Sequence, residues 1–207
     1  MLLDLHVHTD RYSACSHLSE QELLLSLTIH GLGGVCLTEH EAMRQDTEWR
    51  LLCRRAETGL LFQGVEVFFP ECEALLYGVT PAILEEKSDG LAELLKRVDG
   101  EGGAAVLAHP FRYTTDMDGV TRLLERYPFH GVEVENGGCG DHLNRMADTV
   151  RERTGLSSLG GSDAHAPGSV GVAATLFEDS IRDEAGLALA IRQGRCEGVR
   201  LSDCPGR

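Results

Sequence analysis

The sequence predicts an α/β fold of about seven strand–helix units that close, or nearly close, into a barrel. Three observations carry that expectation. Short apolar runs of strand length alternate with stretches of helical period over most of the 207 residues. No Pro/Ser/Gly-rich linker divides the chain, so residues 1–207 read as one domain. Histidines and carboxylates fall where the apolar runs end, as in barrels that carry their sites at the C-terminal ends of the strands.

Leu2–Thr9 is the first strand. Ser19 with Glu22 three residues on forms a capping box for a helix that Gly31, Gly33 and Gly34 end. Val35–Thr38 is the second strand, a helix covers residues 46–58, and Leu60–Phe69 is the third strand, with Glu73–Val79 a hairpin partner beside it. From Ser88 to Val98 the spacing places Leu91, Leu94, Leu95 and Val98 on one helical face. The strand Ala104–Ala108 delivers His109, and a helix over Met117–Arg126 follows. In Gly131–Glu135, Glu133 and Glu135 share one face and Val132 and Val134 the other. A helix over Asp141–Arg153, a strand over Leu156–Gly160, Val172–Phe177 and a helix over Glu184–Arg192 complete the chain.

Composition narrows the function. The 19 basic against 33 acidic residues give a net charge of −14, which excludes a protein that grips duplex DNA by neutralising phosphates. No apolar run approaches the ~20 residues of a bilayer span, so no membrane partner is expected. Met1-Leu2-Leu3 enters the first strand directly, leaving no room for a leader, and the expected location is cytoplasmic. Seven cysteines, at positions 15, 36, 53, 72, 139, 196 and 204, are odd in number, scattered and without a CxxC pair, so they read as reduced thiols.

Side chains alternate along a strand, so His6 and His8 project together, as do Asp163 and His165. With His40, Glu66 and His109 at other strand ends, these form the usual donor set for Zn²⁺, Mn²⁺ or Fe²⁺. A lone histidine on an apolar run is ordinarily a hydrogen-bonded core residue; grouping so many polar groups at strand ends is costly without a metal. Glu39 has parity opposite to His40 and reads as an acid behind the ligands. Asp4 shares the His6/His8 face, in a role that orients a ligand or holds the barrel base. Phe68, Phe69, Pro70 and Tyr77 read as core or rim, an aromatic near Glu66 being able to stack on a nucleobase.

Six ordered blocks make the chain resemble the PHP (polymerase and histidinol phosphatase) superfamily of metal phosphoesterases. They are Asp4-Leu5-His6-Val7-His8-Thr9, Leu37-Thr38-Glu39-His40, Gly64-Val65-Glu66-Val67, Ala108-His109-Pro110-Phe111-Arg112, Gly131-Val132-Glu133-Val134 and Gly161-Ser162-Asp163-Ala164-His165. The resemblance implies a distorted (β/α)7 barrel with two or three divalent ions, Zn, Mn or Fe, in its mouth. It implies one ion on His6, His8, Glu66 and Asp163, a second sharing Glu66 and taking His109, and a third on His40 and His165. The second ion's remaining ligand is Glu133 or Glu135. The chain departs from the family in the loop after His8, where His17, Cys15 and Asp10 are each able to support the third ion, and in carrying Glu39 where an Asp is usual.

The implied activity is hydrolysis of phosphate monoesters or diesters, of nucleotides or short RNA ends, by in-line attack of activated water. Arg112 is the expected phosphate-holding residue, with Arg11 a second candidate, and His109 and His165 are the expected catalytic histidines beside it. Histidinol phosphate and phosphotyrosyl peptides are substrates of the same class. A non-catalytic scaffold and an amidohydrolase acting on C–N bonds are the readings from other classes.

Overall fold

The computed structural model describes residues 1–56, 59–85 and 88–201, so Thr58 and Cys204 lie outside the described residues. Nine strands form one sheet in the order β7-β6-β5-β4-β3-β2-β1-β8-β9. They are β1 Leu2–Val7, β2 Gly34–Leu37, β3 Leu60–Phe69, β4 Cys72–Tyr77, β5 Ala104–Leu107, β6 Gly131–Asn136, β7 Ser157–Gly161, β8 Ala173–Phe177 and β9 Cys196–Arg200. The helices are α1 Glu20–His30, α2 Asp46–Arg55, α3 Ala82–Glu85, α4 Leu91–Gly100, α5 Met117–Arg126, α6 Asp141–Thr154 and α7 Glu184–Arg192.

The sheet curls into a distorted, nearly closed α/β barrel. At its upper end the segment after β7 meets β1, where His8 N–H donates to Ala164 O at 3.0 Å and Ala164 N–H to His6 O at 3.3 Å. At its lower end β1 instead pairs antiparallel with β8 through Leu2 and Leu3. The strict strand–helix alternation breaks in three places. β3 and β4 form an antiparallel hairpin, β8 runs against β1, and β9 adds a last antiparallel strand. The sequence reading has no counterpart to β9, because Cys196-Glu197-Gly198-Val199-Arg200 lacks apolar alternation.

Local chemistry sets the helix starts. The capping box on α1 is present, with Glu22 N–H donating to Ser19 Oγ at 3.3 Å and Ser19 N–H to Glu22 Oε2 at 3.0 Å. α4 begins at Leu91 rather than Ser88, behind Gly90 at φ 138°, a conformation that other residues rarely adopt.

A layer of Leu5, Phe62, Leu75, Tyr77, Val106 and Leu159 fills the barrel beneath the mouth. Tyr77 is fully buried, and its hydroxyl donates to Leu5 O at 3.0 Å. Truncating a side chain of this layer, as in Leu5→Ala, costs about 2–5 kcal/mol by cavity formation. Outer clusters seat α4, α5 and α6 on one flank and α1 and α2 on the other.

Two register shifts sit just under the mouth. In β1, Asp4 pairs with Val35 but Val7 with Leu37, so an extra residue enters between them. Below the shift Leu3 and Leu5 belong to the interior layer; above it His6 and His8 face the interior acids. In β6, Glu133 pairs with Leu159 and Glu135 with Gly160, which again inserts a residue. The face that alternation gives jointly to Glu133 and Glu135 is therefore divided between them.

Candidate metal centre

The acids fix the histidine tautomers. His6 Nδ1 donates to Glu133 Oε1 at 2.8 Å. Ser13 Oγ donates to Glu39 Oε2 at 2.6 Å and lies 3.3 Å from His8 Nδ1, so its hydroxyl proton is committed and His8 Nδ1–H is the donor. Both rings are thereby left with Nε2 as the available donor to a cation. These two Nε2 atoms are buried and have no hydrogen-bond partner.

Around them the carboxylates converge. Glu66 Oε2 lies 3.5 Å from His6 Nε2 and 3.4 Å from His8 Nε2, and Asp163 Oδ1 lies 3.4 and 3.3 Å from the same atoms. Those spacings are long for hydrogen bonds. With metal–ligand bonds near 2.1 Å, the edges of tetrahedral and octahedral shells are roughly 3.4 and 3.0 Å, so these His–carboxylate spacings suit a divalent ion, and His6, His8 and Glu66 converge as one donor group and His6, His109 and Asp163 as another.

Glu66 divides its oxygens. Oε1 is 3.0 Å from His109 Nε2, while Oε2 also meets His40 Nδ1 at 3.0 Å. A carboxylate arranged this way can serve two ions at once. His8, His40 and His165 stack over the other side, with centroids 4.2 Å apart for His8–His40 and 4.5 Å for His8–His165. His165 Nδ1 donates to Asp163 O at 2.9 Å, leaving its Nε2 available.

Burial disfavours charged His6, but Glu133, Asp163 and Glu66 outweigh it and raise its pKa well above the usual value. Burial dominates at His8 and lowers it to about 4, so that imidazole is neutral near pH 7. Burial pushes Glu66 and Asp163 upward, yet His6 and its neighbours hold both well below the carboxylate range. The cluster thus demands positive charge, which a divalent ion supplies as well as a proton does.

The backbone is shaped to the same end. Asp163 at φ 53° and His109 at φ 21° occupy the left-handed side that non-glycine residues seldom adopt, a feature of functional sites. A Cβ on Gly161 would fall 2.4 Å from His6 Cβ, so only glycine lets the two strand ends approach. Asp4, lying below the β1 shift, accepts from Ser162 N–H and Gly171 N–H, each at 2.8 Å, and ties the Gly161–His165 segment to β1.

Of the residues singled out in the sequence, His6, His8, His40, Glu66, His109, Asp163 and His165 are brought together. Arg112 stands at the edge, its guanidinium bonded to Asp163 Oδ2 and, at 3.0 Å, to Asn136 Oδ1. Burial opposes its charge, but Asp163 outweighs that and raises its pKa. His17 is not brought into the cluster: its side chain is exposed and belongs to none of the donor groups found among the described residues, while its N–H donates to His165 O at 2.8 Å. Asp10 and Cys15 are likewise exposed and outside those groups. Arg11 faces α2, 3.2 Å from Glu48. Glu133 faces the mouth, where Oε2 also accepts from His109 N–H at 2.8 Å and Asn136 Nδ2 at 3.0 Å. Glu135 lies outside it with Asn144 and Arg200.

Two residues of the site carried no sequence signal. Glu73 Oε2 lies 3.3 Å from His109 Nδ1, brought there by the β3–β4 hairpin. Arg44 is buried among Glu39 (3.1 Å), Glu20 (3.2 Å) and Thr9 Oγ1 (2.8 Å), below the Tyr12 ring. Glu39 also accepts from Thr9 N–H at 3.0 Å, so Arg44 anchors the acid that holds Ser13 against His8. A buried arginine looks like a surface cation in a sequence.

The chain is similar to several known proteins. A family model described as PHP-associated matches residues 141–196. A curated 3′,5′-nucleoside bisphosphate phosphatase of Chromobacterium violaceum is 33% identical over 95 residues, 44% of this chain; the chain spans about a third of that relative's length. A solved amidohydrolase from Chromobacterium violaceum, with bound sulfate and no metal, superposes with a TM-score of 0.70 at 18% identity, covering 97% of this chain and 98% of that one. PsfC from Pseudomonas syringae PB-5123 gives 0.69 at 19% identity, with 97% and 91% covered.

Proposed function

We propose that this chain is a metal-dependent phosphoesterase of the PHP superfamily, acting on small phosphate esters, nucleotides or short RNA ends foremost. The observation that carries the reading is that the His6 and His8 Nε2 atoms each lie 3.3–3.5 Å from Glu66 and Asp163 oxygens, with both Nδ1 atoms already committed to other partners. We assign His109 to a second position through Glu66, and His40 and His165 to a third, with Glu133 and Glu39 as acids that orient His6 and, through Ser13, His8.

Bound divalent ions supply Lewis-acid charge to the phosphate and lower the pKa of water. The protein's own groups do the rest. Glu66, Asp163 and Glu133 alone would repel a phosphate, so the mouth accepts one only when their charge is offset. Arg112, fixed by Asp163 and Asn136 and partly exposed, presents N–H groups for phosphate oxygens at that edge. His165 and the half-exposed His40 lie on the open side, where a substrate's leaving alcohol would face solvent. The nucleotide preference draws on the curated relative named for a nucleoside bisphosphate. The six free cysteines among the described residues suit a reducing, cytoplasmic setting, and among those residues no helix is long and apolar enough to cross a membrane.

The test is phosphate release from a 3′,5′-bisphosphonucleotide, a 5′-phosphorylated short RNA, histidinol phosphate and a phosphotyrosyl peptide, with Mn²⁺, Zn²⁺ or Fe²⁺ and after chelation. Release that needs the ion supports the reading. No release from any ester by protein that retains its ions would leave a scaffold instead.

A further inference from the structure

Beside the donor cluster runs an apolar cleft of about 210 Å³ between the β3–β4 hairpin and the segment after β5. Its walls include Phe68, Phe69, Pro70, Leu107, Pro110 and Tyr113, and it ends on His109 and Glu73. We propose that this cleft holds the nucleobase of a nucleotide whose phosphate lies at the donors. The inference rests on the phosphoesterase reading and names the part of the substrate that the site selects.

Three observations carry it. Phe68 pairs with Glu73 across the hairpin, so their side chains share a face, and the Glu73 carboxylate is 3.3 Å from His109 Nδ1. The aromatic surface therefore adjoins the donors. Phe68 is also held in register there, its N–H donating to Glu41 Oε1 at 3.3 Å, and it borders a second small cavity lined by His40 and Glu66. Lastly, Phe68 and Tyr113 are 63% and 78% exposed, whereas Tyr77, Phe62, Phe111 and Phe177 are buried. Two large aromatics left open in the lining of a cleft beside a charged centre provide faces for a planar ring.

The cleft's size selects the occupant. It is smaller than the ~300–1,000 Å³ of sites that enclose whole ligands, so it takes one ring system and leaves sugar and phosphate outside. Its lining offers no arginine or lysine for a second phosphate. A neutral base fits this chemistry, and an aliphatic ester gains nothing from it.

The experiment has two arms on the 207-residue chain. In the first, 2-aminopurine riboside 5′-monophosphate is titrated with wild type, Phe68→Ala, Phe68→Trp and Leu189→Ala, the last an exposed apolar change on α7. Stacking should quench the fluorescence in wild type and Phe68→Trp. Phe68→Ala should weaken binding roughly tenfold, with Leu189→Ala like wild type. In the second arm, the ratio of kcat/KM for a nucleoside monophosphate to that for glycerol phosphate should fall roughly tenfold in Phe68→Ala and recover in Phe68→Trp. Quenching that is absent, or indifferent to Phe68, overturns the proposal even in an active enzyme. Phe68-dependent quenching without hydrolysis of any ester keeps the base site and removes the phosphoesterase reading.

Discussion

The two sides of the donor cluster are built differently. On the β1 side, His6 and His8 are fully buried and each Nδ1 is held by a buried acid or by a hydroxyl that an acid holds. On the open side, the side chains of His40 and His165 are 44% and 31% exposed, and one Nδ1 is secured by a backbone carbonyl. The contrast teaches that the deep donors are preorganised by the fold, while the outer pair depends on what binds there.

The largest break in that contrast should come from Glu66, the carboxylate that touches both sides. Glu66→Gln should lower kcat by about 10³-fold or more and release ions from more than one position. Loss of a single ion with turnover intact would show that Glu66 does not join the sites. Next comes the support beneath the deep side. Glu39→Ala removes the buried one of the two carboxylates that hold the buried Arg44 guanidinium, leaving only the partly exposed Glu20, and should cost about 3–5 kcal/mol in urea unfolding. A cost below about 1 kcal/mol would mean Arg44 finds another partner.

A smaller effect sharpens the comparison. Glu133→Gln keeps the shape but loses the charge that orients His6, and should weaken metal binding about 10–100-fold. Titration of the apo protein followed by intrinsic fluorescence or calorimetry reads it; an unchanged affinity would free His6 from Glu133.

These particular residues show how far the sequence could be read. Strand parity pairs His6 with His8 and Asp163 with His165, and the capping box starts α1, because both depend on local spacing. The division of Glu133 from Glu135 was not legible, since it comes from a residue inserted in β6 relative to β7. Neither was the placing of Asp4 below the β1 shift, where it bonds Ser162 and Gly171 instead of sharing the mouth with His6. Arg44 and Glu73 owe their positions to contacts across the fold, which no periodicity reports. His17 keeps only a backbone bond to His165, so its nearness in sequence to the donor motif did not translate into side-chain proximity.

The smallest effect lies far from the mouth and serves as a baseline. His130 accepts from Ala105 N–H at 3.1 Å and sits 2.9 Å from Arg192; burial and then that cation lower its pKa. With the folded value below the unfolded 6.5, the stability it contributes is full above pH 6.5 and is lost as pH falls through the folded pKa. The urea midpoint of wild type should therefore fall more than that of His130→Asn between pH 7.5 and 5, and parallel curves would contradict the assignment.

The most direct measurement is the metal content of wild type, His8→Asn and His165→Asn after loading with Mn²⁺ and desalting. Wild type should retain at least two ions per chain, His8→Asn should lose the tightest of them, and His165→Asn should keep that ion while losing a weaker one. Equal metal content in all three proteins, or none in wild type, would contradict a metal centre built on these donors.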